Sequence, residues 1–426
     1  MKALARSLLA WTLAALVPFA AVEAGLRVAG WQPPSHWYDV GFDPDTPILV
    51  ESEGQVAVAP GLRDVFRAEP FPRDRASGQR LVFAIGDSVV WGHRSNEAAG
   101  PLRAWPDVLH ELLRGQPGHA ADRVVNLGAR TFASGRVEWV LREALAWRPD
   151  VVVASFGSSE YLEEATRRGW QAREARAPAG FWHLRVVQGI ESMLARAKGT
   201  AGAGLTAQGL KERDGTLNAP FLAAGEARVD AAERDRIEER YVQRLDRVAA
   251  ACEAAGVRLV LLTVPSNLRW PPVASRFADD AEKAQVDDAV RRAGELLDAG
   301  RVDEARALVQ PLAAAKPHVA SLRFRWAQVL DRSGDAAGAK AEYEAARDES
   351  AFPLRVSSVM NRAIRQVAAD HRSVVLVDAD RLFESLVPEA IPDERLFLDQ
   401  NHPTEDAHRR IAEAILDALR RDAWPP

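Results

Sequence analysis

The sequence predicts an α/β fold: a three-layer αβα sandwich on about five parallel strands, interrupted by a helical insert. Three observations predict it. From Arg80 onward, short β-rich runs alternate with amphipathic helical stretches. The runs are apolar at almost every position, as strands covered on both faces are. One long connection also carries an internal repeat. At 426 residues the chain is long for one compact body, so interruptions are expected.

The elements follow in order. Lys2 and Arg6 precede an uncharged run from Ser7 to Val22, the layout of a bacterial signal peptide or signal anchor. The continuation Glu23-Ala24-Gly25-Leu26-Arg27 reads as the membrane-exit end of an anchor. Anchoring is therefore preferred to cleavage, with residues 1–30 as the anchor and the body on the periplasmic side of the inner membrane. Strands are expected at Leu81 to Ile85, Arg123 to Leu127, Val151 to Phe156, Val257 to Val264 and Val374 to Val377. Helices are expected at Trp105 to Leu113, Val137 to Ala146, Arg236 to Ala255 and Glu405 to Leu419, each with apolar residues three or four apart.

Two connections are too long to be simple loops. The first, after the third strand, includes the Gly/Ala-rich stretch Gly199 to Gly204 and the charged run Glu226 to Arg240. It reads as a surface excursion, a lid or a plain insertion. The second carries pairs 34 residues apart: Ala293 and Ala327, Leu296 and Leu330, Gly300 and Gly334, Ala305 and Ala339. That period resembles a tetratricopeptide pair, over Asp287 to Arg347. The body then spans 31–280 and 351–426, and the insert 281–350.

Composition excludes several classes of function. A net charge of -5 without a basic stripe gives no reason to expect nucleic acid. The single cysteine, Cys252, allows no intramolecular disulfide and reads as a buried thiol on a helix. His110, His119 and His318 lack metal-ligand spacing, so neither metal nor cofactor is expected. His93 reads as ordinary surface, His408 as solvated on the last helix, and Trp91, Trp105 and Trp139 as core fillers.

The chemistry lies at strand ends. Gly86-Asp87-Ser88 follows the first buried strand directly, which places Ser88 at the carboxyl edge of the sheet, where open α/β folds bind ligands. Near the carboxyl terminus, Asp399-Gln400-Asn401-His402 sets an acid and an imidazole three residues apart on one loop. A serine needs a base to become a nucleophile near neutral pH, and an imidazole held by a carboxylate is such a base.

Together these blocks resemble the SGNH or GDSL hydrolases, in a bacterial envelope subgroup that carries helical repeats. The resemblance covers about 80 to 170, 240 to 275 and 355 to 420, and implies a flavodoxin-like body. It implies Ser88 as nucleophile, Asp399 and His402 as acid and base, and an oxyanion hole from Ser88, Gly128 and the third block. In Phe156-Gly157-Ser158-Ser159-Glu160, Ser159 stands where the family has asparagine, while Glu160 and Tyr161 fit the subgroup. Loss of an oxyanion donor costs on the order of 100- to 1000-fold in rate. Asp87, Asn267, Arg269 and Glu160 are candidate substrate contacts, with Asn267 and Arg269 as possible substitutes for the missing amide. The implied activity is serine esterase or acyl hydrolase action on an envelope ester, an O-acetylated glycan or a lipid-like ester. The alternatives are O-acyl transfer by the same triad, or an impaired scaffold that shows its repeats to a protein partner.

Overall fold

The computed structural model describes residues 17–29, 31, 47–63, 65–93, 101–164, 184–187, 189, 190, 193 and 228–421. Eight strands are described: β1 (Leu49–Ser52), β2 (Gln55–Val58), β3 (Phe71–Pro72), β4 (Leu81–Gly86), β5 (Arg123–Gly128), β6 (Val151–Ser155), β7 (Arg258–Leu262) and β8 (Val374–Val377). The body contains α1 (Ser88–Trp91), α2 (Trp105–Arg114), α3 (Ser134–Ala146) and α4 (Ala231–Ala254). The insert is α5 (Asp280–Asp298), α6 (Val302–Ala315), α7 (Ala320–Arg332) and α8 (Ala336–Asp348), and the chain closes with α9 (Ser358–Asp370), α10 (Ala379–Ser385) and α11 (Glu405–Arg421).

The main sheet is parallel, in the order β5-β4-β6-β7-β8. Counting only these five strands, that is the doubly wound 2-1-3-4-5 arrangement, whose switch point lies at the carboxyl end of its first strand. Here that strand is β4, and Ser88 follows it. The two-residue alternation of β4 divides the core: Phe83 and Ile85 pack with Val137, Tyr241, Leu245 and Ile364 on one face, Val82 and Ala84 with Trp105, Leu109, Ile411 and Ile415 on the other. Both faces are covered by helices, which explains the unbroken apolar strands.

Short polar side chains set the helix starts. Asp230 accepts from Glu233 N, Asp279 from Glu282 N, Asp335 from Gly338 N and Ser357 from Met360 N, each satisfying a donor the helix cannot. The four insert helices bury two apolar clusters of their own, one of which includes Leu268 from the body. Gly300 and Gly334, one period apart, both adopt left-handed backbone, at φ 73° and 84°, where their helices end.

One element was not anticipated. β1, β2 and β3 form a small antiparallel sheet whose Val56 and Phe71 join the main core. Cys252 is buried, and burial pushes its thiol up to about 12, which makes it inert. Residues 199–204, part of the expected excursion, lie outside the described residues, and Ala231 to Arg240 form the first turns of α4. Residues 1–16 also lie outside them, whereas 17–28 are helical. No helix among the described residues is long and apolar enough to cross a membrane.

Candidate active site

The end of β4 turns sharply into α1. Gly86 is needed there, because a side chain at φ 153° would run into the Ser155 carbonyl of the neighbouring strand. Asp87 caps α1: its Oδ1 accepts from Val89 N at 3.0 Å and its Oδ2 from Ser158 N at 3.3 Å. One buried carboxylate therefore ties α1, which begins at Ser88, to the loop after β6. Burial raises the Asp87 pKa, against the two backbone donors and the charge of His402. Asp87, expected as a substrate contact, is a brace.

Ser88, His402 and Asp399 are brought into line. Ser88 Oγ lies 2.8 Å from His402 Nε2, and His402 Nδ1 lies 2.7 Å from Asp399 Oδ2. Asp399 Oδ1 accepts from the backbone N–H of both Asn401 and His402, at 2.9 Å each. With Nδ1–H donating to Asp399, Nε2 is left to accept the serine proton. Burial works against the charge on Asp399, but His402 and the two backbone donors outweigh it and hold the carboxyl at about 2. Burial likewise opposes the imidazolium, and Asp399 outweighs it, so His402 is raised above 6.5.

Of the expected oxyanion donors, the N–H groups of Ser88 and Ser159 face no acceptor among the described residues. The Gly128 N–H is taken by Asn126 Oδ1 at 2.9 Å, while Asn126 Nδ2 donates to Val90 O at 2.8 Å. Gly128 serves differently from expectation: a Cβ there would lie 2.5 Å from Trp91 N, so the glycine lets α1 press against β5. Three residues on, Thr131 is held at φ 62°, an outlier for a β-branched residue and the kind of strain that clusters at functional sites. Ser159 is buried in the loop whose next residue, Glu160, accepts from Ser134 N at 2.5 Å and Ser134 Oγ at 2.8 Å. Burial and the nearby Glu163 push Glu160 up to about 8. Tyr161 donates to Glu238, and Tyr241 to the Phe156 carbonyl. Glu160 thus fastens the Ser158-Ser159 loop to the start of α3.

The two residues expected to replace the missing amide are engaged elsewhere. Asn267 donates from its backbone to Gln400 O at 3.0 Å and from Nδ2 to Asp399 O at 3.3 Å, and so supports the loop of Asp399 and His402. Arg269 binds Asp331 of α7 through two nitrogens, at 2.9 and 3.0 Å, and Asp393 through the third, at 2.8 Å, joining body to insert.

Two histidines were misjudged. His93 is buried, with its ring 4.6 Å from that of His402; its N–H donates to Ser88 O. His408 is fully enclosed rather than solvated: its Nδ1 accepts from Trp105 N, and burial, with the charge of His402, drives its pKa down to about 3. Trp105 and Trp139 are core residues, whereas Trp91 is half-buried, with the Arg130 guanidinium 4.8 Å from its ring. Among the described residues no group of three or more His, Cys, Asp or Glu side chains is placed to hold a metal.

A sequence model of the GDSL-like Lipase/Acylhydrolase family matches residues 84–311, from within β4 to within α6. The chain belongs to that family. Solved structures similar to this GDSL-family protein include LAE5, an α/β hydrolase from the metagenome of Lake Arreo, Spain, at 14% identity over 82% of this chain and 97% of that one, with a TM-score of 0.36. Axe2, an acetylxylan esterase from Geobacillus stearothermophilus, is 13% identical over 80% of this chain and 94% of its own, with a TM-score of 0.34. AlAXEase, an acetyl xylan esterase, is 11% identical over 80% and 99%, with a TM-score of 0.36. No curated protein matches the chain.

Proposed function

We propose that this GDSL-family member is a serine esterase that works through an acyl-enzyme, with Ser88 as nucleophile, His402 as base and then acid, and Asp399 as its orienting carboxylate. The observation that carries the reading is the continuous line from Ser88 Oγ through His402 to Asp399, at 2.8 and 2.7 Å. His402 takes the hydroxyl proton as Oγ bonds to the ester carbonyl carbon. The proton then passes to the departing alcohol as the C–O bond breaks, and water repeats the sequence on the acyl-enzyme. The Ser88 N–H is the first oxyanion donor, and the loop of Ser158 and Ser159 supplies the neighbouring polar wall.

An ester of the cell envelope, an O-acetylated glycan or a lipid-like ester, is the proposed substrate. This rests on Lys2, Arg6 and the apolar run to Val22, read as an inner-membrane anchor. The insert is proposed to be a tetratricopeptide-like pair that meets a protein partner, on the strength of its period and of the matching left-handed turns at Gly300 and Gly334.

A fluorophosphonate probe tests the chemistry. Wild type should be labelled and should hydrolyse short-chain aryl esters, and Ser88→Ala should do neither. A folded wild type that is inert in both assays overturns the reading.

A further inference from the structure

Behind the acid–base loop, where the body meets the insert, two arginines are buried side by side. Arg347 lies near the end of α8 and Arg355 eight residues on; each exposes only 5% of its surface. Arg347 is well satisfied: Nε donates to Asp348 Oδ1 at 2.9 Å, Nη2 to Ser358 Oγ at 2.7 Å and Nη1 to Ser266 Oγ at 3.3 Å. Arg355 is not. Its Nη1 donates to the carbonyls of Asn267 and Trp270, at 2.7 and 2.9 Å, and no carboxylate among the described residues is paired with it. The three N–H donors on Nε and Nη2 have no acceptor among those residues.

The local charge does not balance. Asp348 is the acid that acts on Arg355, and its carboxylate already receives Arg347 and the Ser358 N–H. Asp380 and Glu344 also act on Arg347, but each is paired with a cation of its own, Arg365 and Lys340. Burial, and then repulsion from Arg347, bring Arg355 down to about 9, so it is still a cation at neutral pH. A buried cation without a counter-charge is unfavourable, and an anion drawn from solution would offset that cost.

There is room for one. The two arginines line a cavity of about 10 Å³ with Trp270, Ser350, Phe352 and Gln400. That volume holds about one water-sized particle. Gln400 lies between Asp399 and His402 in sequence, and its buried Oε1 has no partner. Gln400 lines the same cavity wall as the two guanidinium groups.

We propose that this cavity binds a single monatomic anion, chloride in the cell, between Arg355, Arg347 and the Gln400 amide. At about 10 Å³ the cavity suits a monatomic ion better than carboxylate, sulfate or phosphate. The site is wired to the acid–base loop: Arg355 holds the Asn267 carbonyl, and Asn267 holds the carbonyls of Asp399 and Gln400. Occupancy therefore stabilises the fold and fixes the loop that carries Asp399 and His402. Binding itself does not depend on the proposed esterase activity.

The test uses the full chain in sodium gluconate at fixed ionic strength. Replacing gluconate with chloride or bromide should raise the thermal midpoint by several degrees along a saturating curve, since a ligand specific for the folded state stabilises it by mass action. Sulfate at matched ionic strength should not. Crystals grown in bromide should show an anomalous peak within hydrogen-bond reach of Arg355. Arg355→Met should abolish the response; if that variant does not fold, Gln400→Leu, which keeps both guanidinium groups, should shift the half-saturating bromide concentration at least tenfold upward. An unchanged midpoint, a response shared equally by sulfate, or an anomalous peak only elsewhere overturns the proposal. These readouts do not involve ester turnover.

Discussion

Replacing Asp399 with asparagine separates orientation from charge at the proposed base. The fall of the Asp399 pKa from 3.8 to about 2 is a net effect on the order of 2 kcal/mol, won against burial, with His402 the foremost favourable cause. The same coupling holds His402 above its ordinary 6.5 against burial. In Asp399→Asn the coupling is gone while burial stays, so the acid limb of kcat/KM should move from above pH 6.5 to below it. The neutral amide also no longer selects the tautomer with Nδ1–H toward residue 399, which should lower the plateau rate on the order of 10⁴-fold. The assay is hydrolysis of a short-chain aryl ester between pH 4.5 and 9. Stability gives a second readout. The depressed Asp399 contributes stability that is complete above about pH 4 and is lost as pH falls through about 2. The raised His402 contributes stability present below pH 6.5 and lost as pH rises through its folded pKa. In the variant the Asp399 dependence should vanish and the His402 dependence should reverse, stability now being lost as pH falls through the depressed His402 pKa. A plateau within tenfold of wild type with an unmoved acid limb would refute the assignment of His402 and Asp399.

Glu160→Gln should change how stability depends on pH. A carboxyl raised from 4.5 to about 8 keeps its proton in the fold while the unfolded chain loses it, so wild-type stability should fall across that interval by up to about 5 kcal/mol. The glutamine variant should match wild type near pH 4.5 and exceed it near pH 8 in thermal midpoint; parallel curves would contradict the raised pKa. Thr131→Gly relieves a left-handed β-branched residue, worth roughly 1–3 kcal/mol of strain against about 1 kcal/mol of added backbone entropy. Its urea midpoint should rise with an unchanged m-value, and a fall would show that the Thr131 side chain is itself required. Ser159→Asn should raise kcat on the order of 100-fold if the missing amide limits turnover, and a decrease would assign the serine its own role.

What was legible in the sequence was whatever depends on neighbours along the chain. The five parallel strands showed themselves because burial on both faces makes almost every position apolar. Asp399 and His402 lie on one short loop, and Ser88 directly follows a strand, so their convergence needed only the sheet topology. The small antiparallel sheet escaped notice because strands of two to four residues carry no usable period. His93 and His408 were misjudged because their burial comes from residues distant in sequence, His402 and Trp105. Gly128 was misassigned for a subtler reason: whether a backbone N–H is free depends on one side chain two residues away, and Asn126 takes it. Arg269 looked like a substrate clamp because a guanidinium beside a sheet edge is ambiguous until its carboxylates are located.

The polar residues around Ser88 bear on whether the body is an enzyme or only a scaffold. Asp87, Asp399, His402 and Glu160 are all buried, and each is held by donors or partners that set position rather than add much stability. Well-packed apolar residues of similar volume often stabilise such sites as well or better. A scaffold would therefore be free to lose these groups one at a time. Instead Asp87 fixes both α1 and the Ser158 loop, Glu160 fixes that loop to α3, and Asn267 fixes the loop of Asp399 and His402. The three braces surround Ser88, and the positional tolerance they impose is what the proposed role of Ser88 as nucleophile requires.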